Sequence, residues 1–247
     1  MNEKHVVPAT AVAPSFCIVL PMFNESASAA KCIATIHAFL ATVPTRTGII
    51  AVDDGSLDGT GRVLCDLKAD YPALIVEIHE QNRGYGGANR TGFSRAIKEG
   101  FEYALVMDAD LTQDPVYIGE FIEVMRGKPD FIKATRYARG GKVEGVPFAR
   151  SLVSWAGNRL AQAVLRCGLS DFTNGFRAIR TDFLPKLNTT EMGFAMLMEE
   201  VCQAQRLGAT FAEVPYILTV RDDGSASKFS YSWEVYWAYL RHLIPRR

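Results

Sequence analysis

At 247 residues, 48% of them apolar, the chain is long enough for one large packed domain and is not a disordered polymer. Lys+Arg and Asp+Glu both number 27, a balance that gives no basis for nucleic-acid binding. The cysteines Cys17, Cys32, Cys65, Cys167 and Cys202 are scattered and never spaced Cys-x-x-Cys, which argues against a disulfide framework or zinc site and for reduced, buried thiols in a cytosolic protein.

Residues 1–15, with Pro8, Pro14 and several alanines, read as a loose tail, and no apolar stretch of a secretory signal follows Glu3 and Lys4. Phe16–Leu20 is the first apolar run; a helix over Ser26–Leu40 follows, with Ile33, Ile36, Phe39 and Leu40 at helical spacing. The uncharged stretch Cys32–Thr45 falls short of the roughly 20 apolar residues that a membrane span requires. Thr47–Val52 is the next run, closed by Asp53-Asp54-Gly55-Ser56, and Asp58 is placed to cap a helix carrying Val63, Leu64 and Leu67. Leu74–Ile78 is a third run. A glycine cluster, Asn82-Arg83-Gly84-Tyr85-Gly86-Gly87-Ala88, then opens a helix ending near Glu99, and Tyr103–Met107 runs into Asp108-Ala109-Asp110. Strands alternating with helices predict an α/β sandwich with a mainly parallel sheet, in which ligands gather at the carboxyl ends of strands.

The second half is less regular. Phe131–Thr135 reads as a strand, and Ser151–Cys167 as a helix with Leu152, Trp155, Leu160 and Val164 available for one face. Phe211–Val220 reads as a strand that Pro215 pushes to an edge. Tyr231–Ile244, rich in Trp and Tyr, reads as an amphipathic helix.

The polar motifs sit where predicted strands stop. Asp53-Asp54-Gly55-Ser56 is either ordinary turn chemistry or a contact for a nucleotide, with Gly55 allowing close backbone approach. Asp108 and Asp110, one residue apart at a strand end, repel each other unless a cation lies between them, so metal or substrate binding is favoured over a solvated acidic loop. The glycine cluster is either a flexible loop or a helix N-terminus turned to donor phosphates. Arg136, Arg139, Lys142 and Arg150 make a basic stretch in a neutral chain, which as a charge run alone marks no more than a solvated surface.

Together these residues resemble a family. Val19-Leu20-Pro21-Met22-Phe23-Asn24-Glu25, Val52 to Thr60 and Met107 to Leu111 match, in order and spacing, the family 2 glycosyltransferases of the GT-A fold. Thr135-Arg136-Tyr137 with Gly140-Gly141, Asn174-Gly175-Phe176-Arg177, Glu213-Val214-Pro215 and Ser227-Lys228 resemble the dolichol- or polyprenyl-phosphate mannose synthase branch. The resemblance implies a three-layer GT-A catalytic domain over 16–229, followed by the C-terminal helix over 230–247. It implies Pro21, Asn24, Glu25, Asp53, Asp54, Gly55, Arg83, Gly84, Asp108 and Ala109 around the nucleotide sugar. Asp108 and Asp110 would hold Mg²⁺ or Mn²⁺. The position two residues after the second Asp is Thr112, with Gln113 beside it, and Gln113 is assigned as the further metal ligand. Asp110, Arg136, Arg150 and Lys228 are the expected catalytic side chains, the three cations facing phosphate.

The implied reaction moves a hexose, mannose ahead of glucose, from a nucleoside diphosphate sugar to a polyprenyl or dolichyl phosphate with inversion. The phosphate is already anionic and calls for no strong base. A rival family 2 enzyme acting on a sugar hydroxyl, for example from UDP-glucose, would need a carboxylate base, for which Asp171 or Glu199 would serve. A third reading is a non-catalytic nucleotide-sugar binding module. Met198-Glu199-Glu200 is more acidic than a lipid-facing helix would be. The location implied is cytoplasmic, peripheral on the cytosolic face of a membrane. There the C-terminal helix would contact lipid or a small membrane-anchoring subunit, unless it packs on the catalytic domain.

Overall fold

The computed structural model of the chain describes residues 13–145, 147–219 and 233–244, and at 148–150 and 233–236 the backbone alone. Its centre is a seven-stranded sheet of β1 (Phe16–Met22), β2 (Thr47–Asp53), β3 (Leu74–Ile78), β4 (Tyr103–Val106), β5 (Phe131–Thr135), β7 (Arg177–Arg180) and β8 (Phe211–Pro215), in the order β3-β2-β1-β4-β7-β5-β8. A parallel two-stranded sheet pairs β6 (Lys142–Val143) with β9 (Ile217–Leu218). The helices are α1 (Ser26–Leu40), α2 (Thr60–Leu67), α3 (Gly84–Lys98), α4 (Tyr117–Met125), α5 (Phe148–Leu165), α6 (Met196–Arg206) and α7 (Trp233–Leu243). β7 alone runs against its neighbours β4 and β5; the other ladders of the main sheet are parallel.

β1 shows why the sequence folds this way. It is a central strand, so both faces are buried and the run is apolar throughout. Phe16, Ile18, Leu20 and Met22 join the core layer that holds Ile33 and Ile36 of α1 and Phe121 of α4. Cys17 and Val19 point the other way, to Phe93 of α3 and Val201 of α6. Period-two alternation thus builds two cores on one sheet.

Several boundaries differ from expectation. Ala13 and Pro14 are buried and Ser15 N donates to Glu102 Oε2 (2.8 Å), so ordered packing starts inside the expected tail. Asp58 acts one residue upstream of the cap, where Gly59 stands: its carboxylate accepts from Thr60 N and, across to α1, from Ser26 N. Pro215 ends β8, which is an edge strand, and the chain resumes in β9. The cysteines are free, but Cys65 is exposed on α2 instead of buried.

The apolar face of α5 looks outward. Leu152, Trp155, Leu160 and Val164 are exposed, and it is Ser154, Asn158 and Ala161 that turn inward. The inward side chains are chosen by hydrogen bonds to neighbouring loops, which apolar periodicity does not reveal. α7 docks on the domain: Tyr239 is buried with its hydroxyl on Phe194 O (2.8 Å), and Arg241 and His242 both reach Glu191. No helix of the described residues is long and apolar enough to cross a membrane.

Candidate active site

Parallel β1, β2 and β4 end at one edge of the sheet, and antiparallel β7 begins there. The register places Met22 beside Asp53, Val106 beside Arg177, and Lys133 beside Arg177 on the other side. The polar motifs are therefore brought together from distant parts of the chain.

The first two motifs lock each other. Asn24, held at φ 51°, donates its N–H to Ser56 Oγ (2.8 Å) and accepts from Leu57 N at Oδ1 (3.0 Å). Glu25 N donates to Thr60 Oγ1, and Glu25 Oε2 accepts from Ser28 Oγ. Pro21 lies beside them on β1. Asp53 Oδ1 accepts from Ser56 N (3.1 Å). Asp54 is buried and braced internally: Oδ1 accepts from Arg83 N (2.8 Å) and lies 2.6 Å from His79 Nδ1. Gly55 is required, because φ is 69° and an added Cβ would lie 2.5 Å from Asn82 N.

The glycine cluster also serves packing. Gly86 N donates to Met192 O (2.7 Å), and a Cβ on Gly84 or Gly86 would strike the backbone of Met192 or Glu191. These glycines admit the 191–192 segment over the start of α3, so that N-terminal N–H is taken by protein. Arg83 contributes its backbone to Asp54 while its side chain is exposed.

Asp108 and Asp110 flank buried Ala109 on a turn in which Leu111 has φ 57°, a costly conformation for a branched side chain. Thr112 donates N–H and hydroxyl to Asp110 Oδ1 (3.1 and 2.8 Å). Gln113 donates to Asp108 Oδ2 (2.7 Å) and accepts from Asp108 N (2.9 Å). Gln113, the expected further metal ligand, thus stands beside Asp108 and braces it from both ends of its amide. Hard, anionic oxygens fixed on one turn fit Mg²⁺ or Mn²⁺. Among the described residues no three His, Cys, Asp or Glu side chains cluster.

Gly175 lies against the acidic turn. A Cβ there would be 2.6 Å from Tyr85 Oη and 3.2 Å from Asp108 Oδ1. Behind it is a buried network that the sequence reading missed. Arg177 forms a two-point pair with Glu200 (2.5 and 2.8 Å) and donates to Asn89 and Tyr85, while fully buried Lys133 donates to Asn174 O (2.6 Å). Burial, with Arg177 next to it, pulls the Lys133 ammonium down to about 7. Two buried polar atoms, Asn174 Oδ1 and Tyr216 Oη, have no hydrogen-bond partner among the described residues, an exception that often marks a functional site.

Arg136 follows β5. Its backbone N, Nε and Nη2 all donate to buried Asp171, and Nη2 also to Thr173 Oγ1. Burial alone would raise the Asp171 carboxyl, but Arg136 outweighs it and brings it down to about 2. Nε and Nη2 of Arg136 are thus on Asp171, while no hydrogen bond of Nη1 is found among the described residues. Arg150 is in α5 with its side chain outside the description, and Lys228 lies outside the described residues.

The acidic Met198-Glu199-Glu200 segment is explained internally. Glu200 neutralises Arg177, and Glu199 accepts from Thr190 N and Glu191 N. Of this network Arg177, Asn174 and Tyr85 stand in motifs that the sequence displays; Lys133 was hidden in an apolar strand.

Comparison with known proteins agrees with this geometry. Residues 17–187 match the Glycosyl transferase family 2 domain. The chain is 29% identical to undecaprenyl-phosphate mannosyltransferase of Micrococcus luteus over 84% of its own length and 85% of that protein. It is 28% identical to polyprenol monophosphomannose synthase of Mycolicibacterium smegmatis over 86% and 80%. Glucosyl-3-phosphoglycerate synthase of Mycobacterium tuberculosis, crystallised with Mn²⁺, UDP and glucosyl-3-phosphoglycerate, superposes with a TM-score of 0.64 at 18% identity, covering 92% of this chain and 76% of that one, which establishes the GT-A fold.

Proposed function

The chain belongs to glycosyl transferase family 2, and we propose that it transfers a hexose, mannose from GDP-mannose, to the phosphate of a polyprenyl or dolichyl phosphate with inversion. The mannosyltransferase relatives from two bacteria support the sugar and the acceptor class.

The observation that carries the phosphate acceptor is the state of the acceptor-side acids. Asp171 is paired with Arg136 and held near 2, and Glu199 caps the 190–191 backbone, so neither serves as the base that a sugar hydroxyl would need. Glu213 on β8 is likewise occupied, accepting from Ser170 N and Oγ. A phosphate monoester arrives as an anion near neutral pH and needs only cationic donors, which Arg136 Nη1 supplies and Arg150 and Lys228 are proposed to supplement. Pro21, Asn24, Glu25, Asp53 and Gly55 form the wall for the nucleotide, with Asp54, Arg83 and Gly84 bracing it.

Asp108 and Asp110 would hold Mg²⁺ or Mn²⁺, which neutralises charge on the departing diphosphate; the neighbour crystallised with Mn²⁺ and UDP supports that use. The catalysis takes place at the cytosolic face of a membrane, where the acceptor resides. The test is a panel of nucleoside diphosphate sugars with Mg²⁺ or Mn²⁺, scored for nucleoside diphosphate release with and without polyprenyl phosphate. Acceptor-dependent release from GDP-mannose is expected; release that ignores the lipid phosphate would refute the assignment.

A further inference from the structure

A wholly buried lysine stands in the middle of β5, in a strand that is otherwise buried and mostly apolar. The register sets Lys133 opposite Arg177, so two cations share one enclosed neighbourhood. The acids that act on Lys133 are bonded to other cations: Asp171 accepts from Arg136, and Glu200 from Arg177. Burial pulls the ammonium down, Arg177 and Arg136 add to this, and Asp171 and Glu200 oppose it, which leaves it at about 7. A buried charge of this kind is costly, and an apolar side chain would carry no such cost.

What Lys133 holds is a carbonyl. Its Nζ donates to Asn174 O (2.6 Å), and Arg177 Nη1 donates to Gly175 O (2.9 Å), so two buried cations hold consecutive carbonyls of one turn. Asn174 Nδ2 ties the same turn to Ala134 O of β5 (2.6 Å). The turn walls one side of Asp108. A Cβ on Gly175 would lie 3.2 Å from Asp108 Oδ1, while Gln113 holds Oδ2 from the other side (2.7 Å). The place of Asp108 therefore depends on Gln113 of its own turn and on a Gly175 whose peptide is fixed from β5 and β7.

We propose that Lys133 is a positioning residue for the metal-binding turn: its ammonium fixes the Asn174-Gly175 peptide against Asp108 and so holds that carboxylate where it meets the cation. The consequence for the metal rests on the reading of Asp108 and Asp110 given above; the hold on Asn174 does not.

The test measures Mn²⁺ binding to the full chain, from the loss of the free-Mn²⁺ EPR signal, with GDP and with UDP, at about pH 6 and about pH 8.5. Lys133→Met removes the donor. Lys133→Gln keeps a donor without the charge. Phe131→Leu, in the same strand against Phe211, is the packing control, and Asp110→Asn reports on the metal pair. Lys133→Met should bind Mn²⁺ at least about fivefold more weakly than the parent at the lower pH, the margin of a charged over a neutral hydrogen bond. The difference should shrink at the higher pH, where the parent's amine is neutral as well. Lys133→Gln should lose less, and its difference from the parent should shrink with pH in the same way. Phe131→Leu should lower the thermal midpoint and leave Mn²⁺ binding as in the parent. Parental Mn²⁺ binding at both pH values in either Lys133 variant overturns the proposal, as does a loss in Lys133→Met that is the same at both, or an equal loss in Phe131→Leu. Parental binding in Asp110→Asn would refute the metal pair and the proposal with it. Lost binding in Asp110→Asn with parental binding in Lys133→Met refutes the proposal alone. Mn²⁺ retained with UDP and not with GDP would overturn the donor assigned above and leave the comparison of variants standing.

Discussion

Replacing Gly175 by alanine separates a steric role from a conformational one. Gly175 is not among the residues of positive φ, so alanine adopts its backbone freely and the cost lies in the new Cβ alone. That carbon would lie 2.6 Å from Tyr85 Oη and 3.2 Å from Asp108 Oδ1. A relaxed C···O approach is about 3.3 Å, so the Tyr85 hydroxyl must withdraw by roughly 0.7 Å while Asp108 moves only slightly. Tyr85 has little room, since its ring stacks on Phe194 (4.7 Å) and its hydroxyl accepts from Arg177 Nη1 (3.2 Å). Overpacking of this kind costs about 1–3 kcal/mol. Expressed at Asp108, that is a fall in kcat/KM of about five- to 150-fold, with a higher half-saturating Mn²⁺ concentration. Initial rates of nucleoside diphosphate release against metal concentration, beside a thermal melt, read both effects. Tyr85→Phe in the alanine background removes the struck oxygen and should restore a large part of the loss, a coupling that only contacting residues show. Parental rates and metal dependence in Gly175→Ala would refute the reasoning, and failure of Tyr85→Phe to restore any activity would refute the route through Tyr85.

Asp110→Asn should abolish transfer at modest metal concentration with an unchanged fold, because Thr112 still has an amide oxygen to bond and only the charge is lost; turnover near the parent's would remove Asp110 from the metal assignment. Arg136→Lys should cost about 2 kcal/mol of stability and at least tenfold in activity, since Lys keeps the charge but not the planar fork on Asp171; urea unfolding and rates at the parent's level would show that the fork on Asp171 supports neither. Asp171→Asn should alter acid stability. Asp171 is lowered from 3.8 to about 2, so its contribution of ~2 kcal/mol is present above pH about 4 and is lost as pH falls towards 2. The stability gap between parent and variant, measured by urea unfolding, should shrink across that window, and a gap independent of pH would contradict an ionised pair.

The first half of the fold was legible because each central strand is an apolar run ended by a polar motif, and α1, β3 and β5 fall on the expected boundaries. The site was legible where chemistry is local: Asn24 with Ser56, Asp53 with Ser56, and Asp110 with Thr112 all bond within or between the recognised motifs. What escaped depends on packing between distant segments. Lys133 reads as a strand residue until Asn174 O and Asp171 are folded onto it, and Glu200 reads as a surface acid until Arg177 meets it. Which face of α5 turns inward was not legible for the same reason, because Asn158 and Ser154 are held by Phe172 and Tyr137 of neighbouring loops. The glycine cluster was visible, but its purpose became clear only with the 191–192 backbone across it.

The central claim is that the acceptor atom is a phosphate oxygen. The direct measurement supplies polyprenyl phosphate and the free polyprenol of the same chain length in parallel, with GDP-mannose and Mn²⁺, and identifies the lipid products by mass. The account predicts a hexosyl monophosphate lipid from the first and no product from the second, with formation falling in Arg136→Lys. A hexosyl lipid formed from the free alcohol, or transfer to a sugar hydroxyl with the lipid phosphate untouched, would contradict it.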